Sequence, residues 1–543
     1  MIHFKKNLSL LLNFIGMVTL SAPLLLLAST QDVQRILSSM TVEEKIGQLF
    51  MVPACPMRGE DHQKDLERLI HDFHVGGVIV KQATPDKQVA FLDMLQTMSK
   101  VSLLVGIDAE WGLGMRMKET ISFPKNMTLG AIKDEKDLFS LGQEIGRECR
   151  LIGAHINFAP VVDVNVQPKN PIIGMRSFGE DPNVVARKAS CLMKCLQTHM
   201  LAIVKLFPGL GDVIVDSHED LPVVQHSLEE FWSIDLISFQ ELIKHNVSCI
   251  MSSHLVAVAF DKVPCTFSRV LIQNILREKM GFSGLIITDA LNMKALRNYF
   301  PIEEIGWRAL QSGHDILLYG DHIAPNVDEI LREEVPRAYQ RIYQGVIHHE
   351  ISMKELDSHV FRILEAKDRL GILQRKPLIK KDLSSLQSIE AMQLKEKLYS
   401  RAMTWVGNPY ILQPKEGKIG DLEIGHSKNR VVFEGLQKQG FVSELSSLEK
   451  YTCVVVAIYS LDPRQENFGM SSATLESLQK LSSQIPVIAV VFGTPYVYPV
   501  LSFLPSILMA YEEEKEAQLA SLEVLLGRRQ GEGVLPIYKK IVK

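Results

Sequence analysis

Along the chain two textures alternate. Short, nearly continuous apolar runs occur at residues 75–80, 103–108, 156–164, 201–207, 247–255, 284–290 and 315–320. Between them, at 87–100, 136–151, 184–200, 229–245 and 268–280, apolar residues recur every three or four positions. Runs without polar alternation predict strands buried on both faces, and the amphipathic stretches predict the helices that cover them. This is the pattern of a parallel α/β architecture. Thr41 and Glu44 have capping-box spacing ahead of the apolar stretch at 46–50, which marks a helix start, and residues 48–52 add an eighth candidate strand.

Seven or eight such strands within residues 31–372 exceed what an open Rossmann sheet needs and fit a (β/α)8, TIM-like barrel. Helical stretches at 328–348 and 353–370 complete it, and a basic, Pro-containing segment at 373–384 reads as a linker. Residues 385–543 carry three more apolar runs, at 452–460, 485–493 and 506–511, with helical patterns at 473–484 and 516–526. They predict a smaller C-terminal α/β sandwich domain.

Residues 1–30 stand apart: Lys5 and Lys6 precede an apolar run over 8–28. A basic start followed by such a run predicts either a cleaved signal peptide or an uncleaved membrane anchor. Both readings place the chain outside the cytoplasm, in the periplasm or on the inner membrane of a bacterium. No other stretch is long and apolar enough to suggest a polytopic membrane protein.

Over all 543 residues, 59 Lys+Arg balance 63 Asp+Glu to a net charge of −4, which argues against a nucleic-acid partner. The seven cysteines show no CxxC spacing, so no disulfide framework and no zinc or other metal site is expected. Nor is there a phosphate-binding glycine loop or nucleotide fingerprint, and no cofactor is inferred.

The candidate chemistry falls at the C-terminal ends of the predicted strands, the rim where barrels of this type carry their sites. Asp108, Asp163, Lys205, His254 and Asp289 all lie there. The densest motif is KLFPGLGDVIVDSHEDLP, residues 205–222, in which Pro208, Gly209 and Gly211 force a turn. Asp216, two residues before His218, can accept a hydrogen bond from one ring nitrogen and raise the basicity of the other. In GLIITDAL, residues 284–291, a strand ends in Asp289, which reads either as a nucleophilic carboxylate or as a helix cap. GIDAEWGLGMR, residues 106–116, offers Asp108, Glu110, Trp111 and Arg116, the charged groups and aromatic face that a hydroxyl-rich ligand needs.

In order along the chain, GIDAEWGLGMR, NPIIGMRSFGEDP (170–182), the lysine loop with its DSH, ITDALNMKAL (287–296), VVFGTPYVYPVL (490–501) and MAYEEEKEAQ (509–518) resemble the signatures of glycoside hydrolase family 3. Within it, the bacterial β-N-acetylglucosaminidase (β-hexosaminidase) branch is the most similar. The resemblance implies an exo-acting, retaining enzyme that removes terminal β-linked N-acetylglucosamine, with peptidoglycan fragments as a substrate class. It implies Asp289 as nucleophile and His218, paired with Asp216, as general acid/base. Asp108, Arg116, Arg176, Lys205 and His254 fall where the family binds its sugar.

One departure stands out. The family loop reads K-H-F-P-G-H-G, whereas here Leu206 and Leu210 replace both histidines. At least one polar contact to the sugar is therefore expected to be missing. Competing readings are a β-glucosidase or a glycoside phosphorylase of the same family, and a membrane-anchored sugar-binding protein with little catalysis.

Overall fold

The computed structural model describes residues 31–538 except 321–326, 374–381, 413–417, 428 and 442–450. The leader at 1–30 and most of the 373–384 linker lie outside the described residues. No described helix is long and apolar enough to cross a membrane.

Eight parallel strands form the first sheet: β1 (Phe50–Ala54), β2 (Gly77–Val80), β3 (Leu104–Ile107), β4 (Ile156–Asn157), β5 (Leu201–Phe207), β7 (Cys249–Ser252), β9 (Leu285–Thr288) and β10 (Leu317–Leu318). A short ribbon of β6 (Val223–Val224) and β8 (Val256–Ala257) interrupts the numbering. β10 pairs with β1 through Phe50 opposite Leu317. Its other side meets β9, where Ile287 bridges Ile316 and the Thr288 N–H donates to the Ile316 carbonyl at 3.1 Å. The sheet thus closes on itself, with helices outside, as the continuous apolar runs require. The short run near residue 50 is indeed a strand and supplies the eighth stave.

Several strands are shorter than their apolar runs. The run at 156–164 pairs as a strand only over Ile156–Asn157. Pro160 has no N–H to give to a ladder, and the Asn157 side chain instead bonds both the N–H and the carbonyl of Ala109, each at 3.0 Å. The helix start at Thr41 forms as its spacing predicts: its hydroxyl accepts from the Glu44 N–H, and Glu44 accepts from the Thr41 N–H. All seven cysteines are free thiols.

The C-terminal sheet has the order β11-β15-β14-β13-β12: β11 (Thr404–Gly407), β12 (Lys418–Ile424), β13 (Tyr451–Ile458), β14 (Val487–Val491) and β15 (Ser506–Met509). Only the β11–β15 pair is antiparallel. Successive residues of β13 serve two cores. Val454, Val456 and Ile458 pack in the cluster continuous with the barrel, and Cys453, Val455 and Ala457 in one private to this domain. A strand buried on both faces cannot alternate polar and apolar, which is why this run was continuous in the sequence.

The second domain is bonded to the barrel. Partly buried Glu512 accepts from the Lys125 N–H at 2.9 Å and from the Thr128 hydroxyl at 2.6 Å. The C-terminal tail returns to the barrel, where the Val534 N–H donates to Ala131 and the Glu180 N–H donates to the carbonyl of Pro536.

Candidate active site

A pocket of about 320 Å³ opens at the C-terminal end of the barrel. Among its lining residues are Asp108, Arg116, Arg176, Lys205, His218 and Asp289, brought together from strands and loops as far apart as 181 positions in sequence.

One wall is a charge network. Asp108 follows β3 directly and receives Arg116 at 2.8 Å, Lys205 at 3.3 Å and Lys81 at 3.6 Å. Glu110 takes a two-pronged hydrogen bond from Arg176, Nε at 3.0 Å and Nη2 at 2.8 Å, with Lys205 Nζ at 2.8 Å. Burial alone would raise the Glu110 carboxyl, but Arg176 and Lys205 outweigh it and hold the group at about 2. Glu110 is therefore a fixed anion whose work is to orient the two cations. The fork geometry suits Arg, since a guanidinium presents parallel N–H groups that an ammonium lacks.

Asp289 and His218 also line the pocket, His218 with Asp216 behind it. Asp289 follows β9, and its N–H donates to the Ser252 carbonyl at 3.0 Å. Its Oδ1 accepts from the Ala290 N–H at 2.7 Å, while Oδ2 has no hydrogen-bond partner among the described residues. It does not cap the following helix, Lys294–Arg297, which begins five residues further on with Met293 at its N-cap. Asp216 Oδ1 sits 2.6 Å from His218 Nδ1 and also accepts the His218 backbone N–H at 2.8 Å. That hydrogen bond raises the His218 pKa above the ordinary histidine value; burial opposes it and the Asp289 carboxylate adds to it. With Nδ1 held by Asp216, Nε2 is the ring's other nitrogen, on a side chain that lines the pocket.

Two expectations change. His254 is fully buried and does not line the pocket. Its Nδ1 lies 2.6 Å from the Thr266 hydroxyl and its Nε2 2.9 Å from the Ala290 carbonyl. It braces the backbone behind Asp289 and has no free nitrogen for a sugar. Burial pushes its pKa down, in keeping with a neutral ring. Asp163 is also beneath the rim: its two oxygens accept the Leu206 N–H at 3.1 Å and the Leu210 N–H at 2.6 Å. Burial pushes its carboxyl up to about 7.

Of the two leucines at the family's histidine positions, Leu206 lines the pocket and Leu210 is buried outside it. Leu206 joins Ile79, Phe158, Met251 and Leu318 in an apolar floor that the sequence reading did not identify. The available signal was positional: Ile79, Met251 and Leu318 all occupy the last half of their strands. Trp111 lines the same pocket. Among the described residues no group of three or more His, Cys, Asp or Glu side chains is placed to hold a metal ion.

Comparison with known proteins places this site in a family. Over 375 residues the chain is 30% identical to beta-hexosaminidase A of Pseudoalteromonas piscicida, covering 64% of this chain and 62% of that one. It is 29% identical over 352 residues to a beta-N-acetylglucosaminidase/beta-glucosidase of Cellulomonas fimi, covering 63% and 60%. The match thus spans about three-fifths of the length of these curated relatives. Among solved structures, a glycoside hydrolase family 3 beta-N-acetylglucosaminidase from Paenibacillus sp. str. FPU-7 superposes with a TM-score of 0.79 at 27% identity, over 93% of this chain and all of that one. The family model for the glycosyl hydrolase family 3 N-terminal domain matches residues 41–366, and the chain belongs to that family.

Proposed function

We propose that the protein is an exo-acting, retaining glycoside hydrolase that removes terminal β-linked N-acetylglucosamine. The observation that carries this reading is the sharing of one pocket by Asp289, by His218 with Asp216 behind it, and by the Asp108, Arg116, Arg176 and Lys205 wall. The pocket has room for one sugar residue rather than a chain, which suits exo action. Asp289 attacks the anomeric carbon to form a glycosyl-enzyme while His218 gives its Nε2 proton to the departing oxygen. His218 then takes a proton from water as the water displaces Asp289 and restores the carboxylate. Asp108, Arg116, Arg176 and Lys205 hold the sugar hydroxyls, and Trp111 covers a C–H face. The names of the relatives favour the amino sugar over glucose.

The leader pattern of Lys5, Lys6 and the apolar run at 8–28 favours work outside the cytoplasm, where peptidoglycan fragments carry terminal N-acetylglucosamine. A histidine acid/base also admits phosphate as acceptor, because a neutral base repels that anion less than a carboxylate does. The test is release of aryl alcohol from an aryl N-acetyl-β-glucosaminide and from an aryl β-glucoside, with and without phosphate, by the full chain and by Asp289→Ala. The reading expects turnover of the amino sugar, free sugar as product, and loss of activity in the variant. Unchanged turnover by Asp289→Ala contradicts it, and a sugar 1-phosphate made in phosphate replaces hydrolysis by phosphorolysis.

A further inference from the structure

The loop that presents Asp216 and His218 is well anchored only in its first half. Gly209, at φ +140°, lies directly on Asp235, so that a Cβ there would meet Asp235 Oδ1 at 2.7 Å. The Leu210 carbonyl accepts from Asn170 Nδ2 at 2.6 Å, and the Gly211 carbonyl accepts from the Gln167 N–H at 3.2 Å. Beyond Gly211, among the described residues, Val213, Ile214 and Val215 make no backbone hydrogen bond. Ile214 is 70% exposed.

Besides the buried Val213 side chain, what ties this half down is Asp212. Its Oδ2 lies 3.0 Å from His226 Nε2, and the other ring nitrogen of His226, Nδ1, lies 2.7 Å from Asp235 Oδ2. Only the Asp235 contact is aligned as a hydrogen bond; Asp212 meets the other nitrogen as an ion pair, an attraction that needs the ring to carry a proton on both nitrogens. Asp235 is buried, the ring itself is mostly buried, and Phe231 meets it edge-on at 5.6 Å. The titratable groups facing the ring are the carboxyls of Asp235, Asp212 and Glu230; the hydrogen bond to Asp235 raises the His226 pKa above the ordinary value, while burial raises that of Asp235.

We propose that His226 is a positioning residue: its imidazolium ties Asp212 to the buried Asp235 and thereby fixes the loop that holds Asp216 and His218 against the pocket. This rests on the reading of His218 as the acid. Aryl N-acetylglucosaminides of differing leaving group separate positioning from mere structural support. A dinitrophenolate departs with little help, whereas an unactivated phenolate or alkoxide needs the His218 proton.

The experiment measures kcat/KM of the full chain for both leaving groups in wild type, His226→Gln, Asp212→Asn and His218→Ala. The amide of Gln donates to one carboxylate without charge. The expected result is a loss of about tenfold or more for the poor leaving group and about twofold or less for the good one in both loop variants, a weaker form of the His218→Ala pattern. Equal losses for both leaving groups, or no loss in either, overturn the proposal. Asp212→Asn alters a half-exposed side chain and keeps the buried His226–Asp235 pair, so it carries the test if His226→Gln fails to fold. Absence of leaving-group dependence in His218→Ala itself overturns both the acid assignment and this inference. Its presence there and absence in the loop variants overturns this inference alone.

Discussion

The hydroxyl of Tyr496, in the C-terminal domain, donates to the backbone carbonyl of Asn165 in the barrel at 2.5 Å and receives the Asn165 side-chain amide at 2.9 Å. Asn165 Oδ1 in turn accepts the Gly174 N–H at 3.0 Å, in the turn Gly174–Arg176 that carries a pocket arginine. The second domain thus reaches the arginine wall of the pocket through a single intermediate residue. Tyr496→Phe leaves the Asn165 carbonyl and amide without this partner, at a cost of about 1–3 kcal/mol. We expect a lower melting temperature and a several-fold higher KM with kcat less affected, measured by thermal unfolding and steady-state kinetics.

Glu110 is the buried anion between Arg176 and Lys205. Glu110→Gln leaves Arg176 without its counter-charge and Lys205 with Asp108 alone, and should cost about 3–5 kcal/mol at neutral pH. Because the Glu110 carboxyl is held at about 2 in the fold, below its unfolded value of about 4.5, its contribution is complete above that value. It is lost as pH falls toward 2. Denaturant unfolding at pH 7 and at pH 3 should therefore show the gap between wild type and variant narrowing with acid. A gap that widens with acid would contradict the assignment.

His218 must carry a proton to act as an acid, so kcat/KM should fall as pH rises through its pKa, which Asp216 holds above the ordinary histidine value. Asp216→Asn removes the largest cause of that elevation. The alkaline limb of the pH–rate profile should move to lower pH, and the maximum rate should drop. An unmoved limb would assign it to another group.

Leu206 puts an apolar side chain beside Lys205 in the pocket. Leu206→His offers a sugar hydroxyl one more hydrogen bond, worth about 1 kcal/mol net. KM for an aryl N-acetylglucosaminide should fall by about fivefold with kcat little changed. A rise in KM would instead show that the apolar floor itself contributes to binding.

The barrel was legible because its strands are buried on both faces and therefore read as continuous apolar runs, and the rim carboxylates stood out against them. β12 was missed for the converse reason. It is an edge strand whose Asp421 and Glu423 are partly exposed, so its pattern looks like a loop. β11, only four residues with Trp405 half-exposed, left as little trace. In the site, Asp289, Asp216, His218 and Lys205 were visible as polar residues closing apolar strands or sitting among glycines. His254 carried the same signal, yet it faces the interior, because position at a strand end does not say which way the side chain points. Tyr496 and His226 act through partners on other elements, Tyr496 on Asn165 more than 300 positions away, and no local pattern shows such pairings.

The central claim is that Asp289 forms a covalent glycosyl-enzyme. It is tested most directly by incubating the full chain with a fluorinated N-acetylglucosaminyl fluoride, whose intermediate hydrolyses slowly, and mapping the added mass by peptide sequencing in a mass spectrometer. The account predicts one sugar equivalent, on the peptide containing Asp289 and on that side chain, with the anomeric configuration of normal product retained. A label on another carboxylate, or inversion of configuration with no label at all, would contradict it.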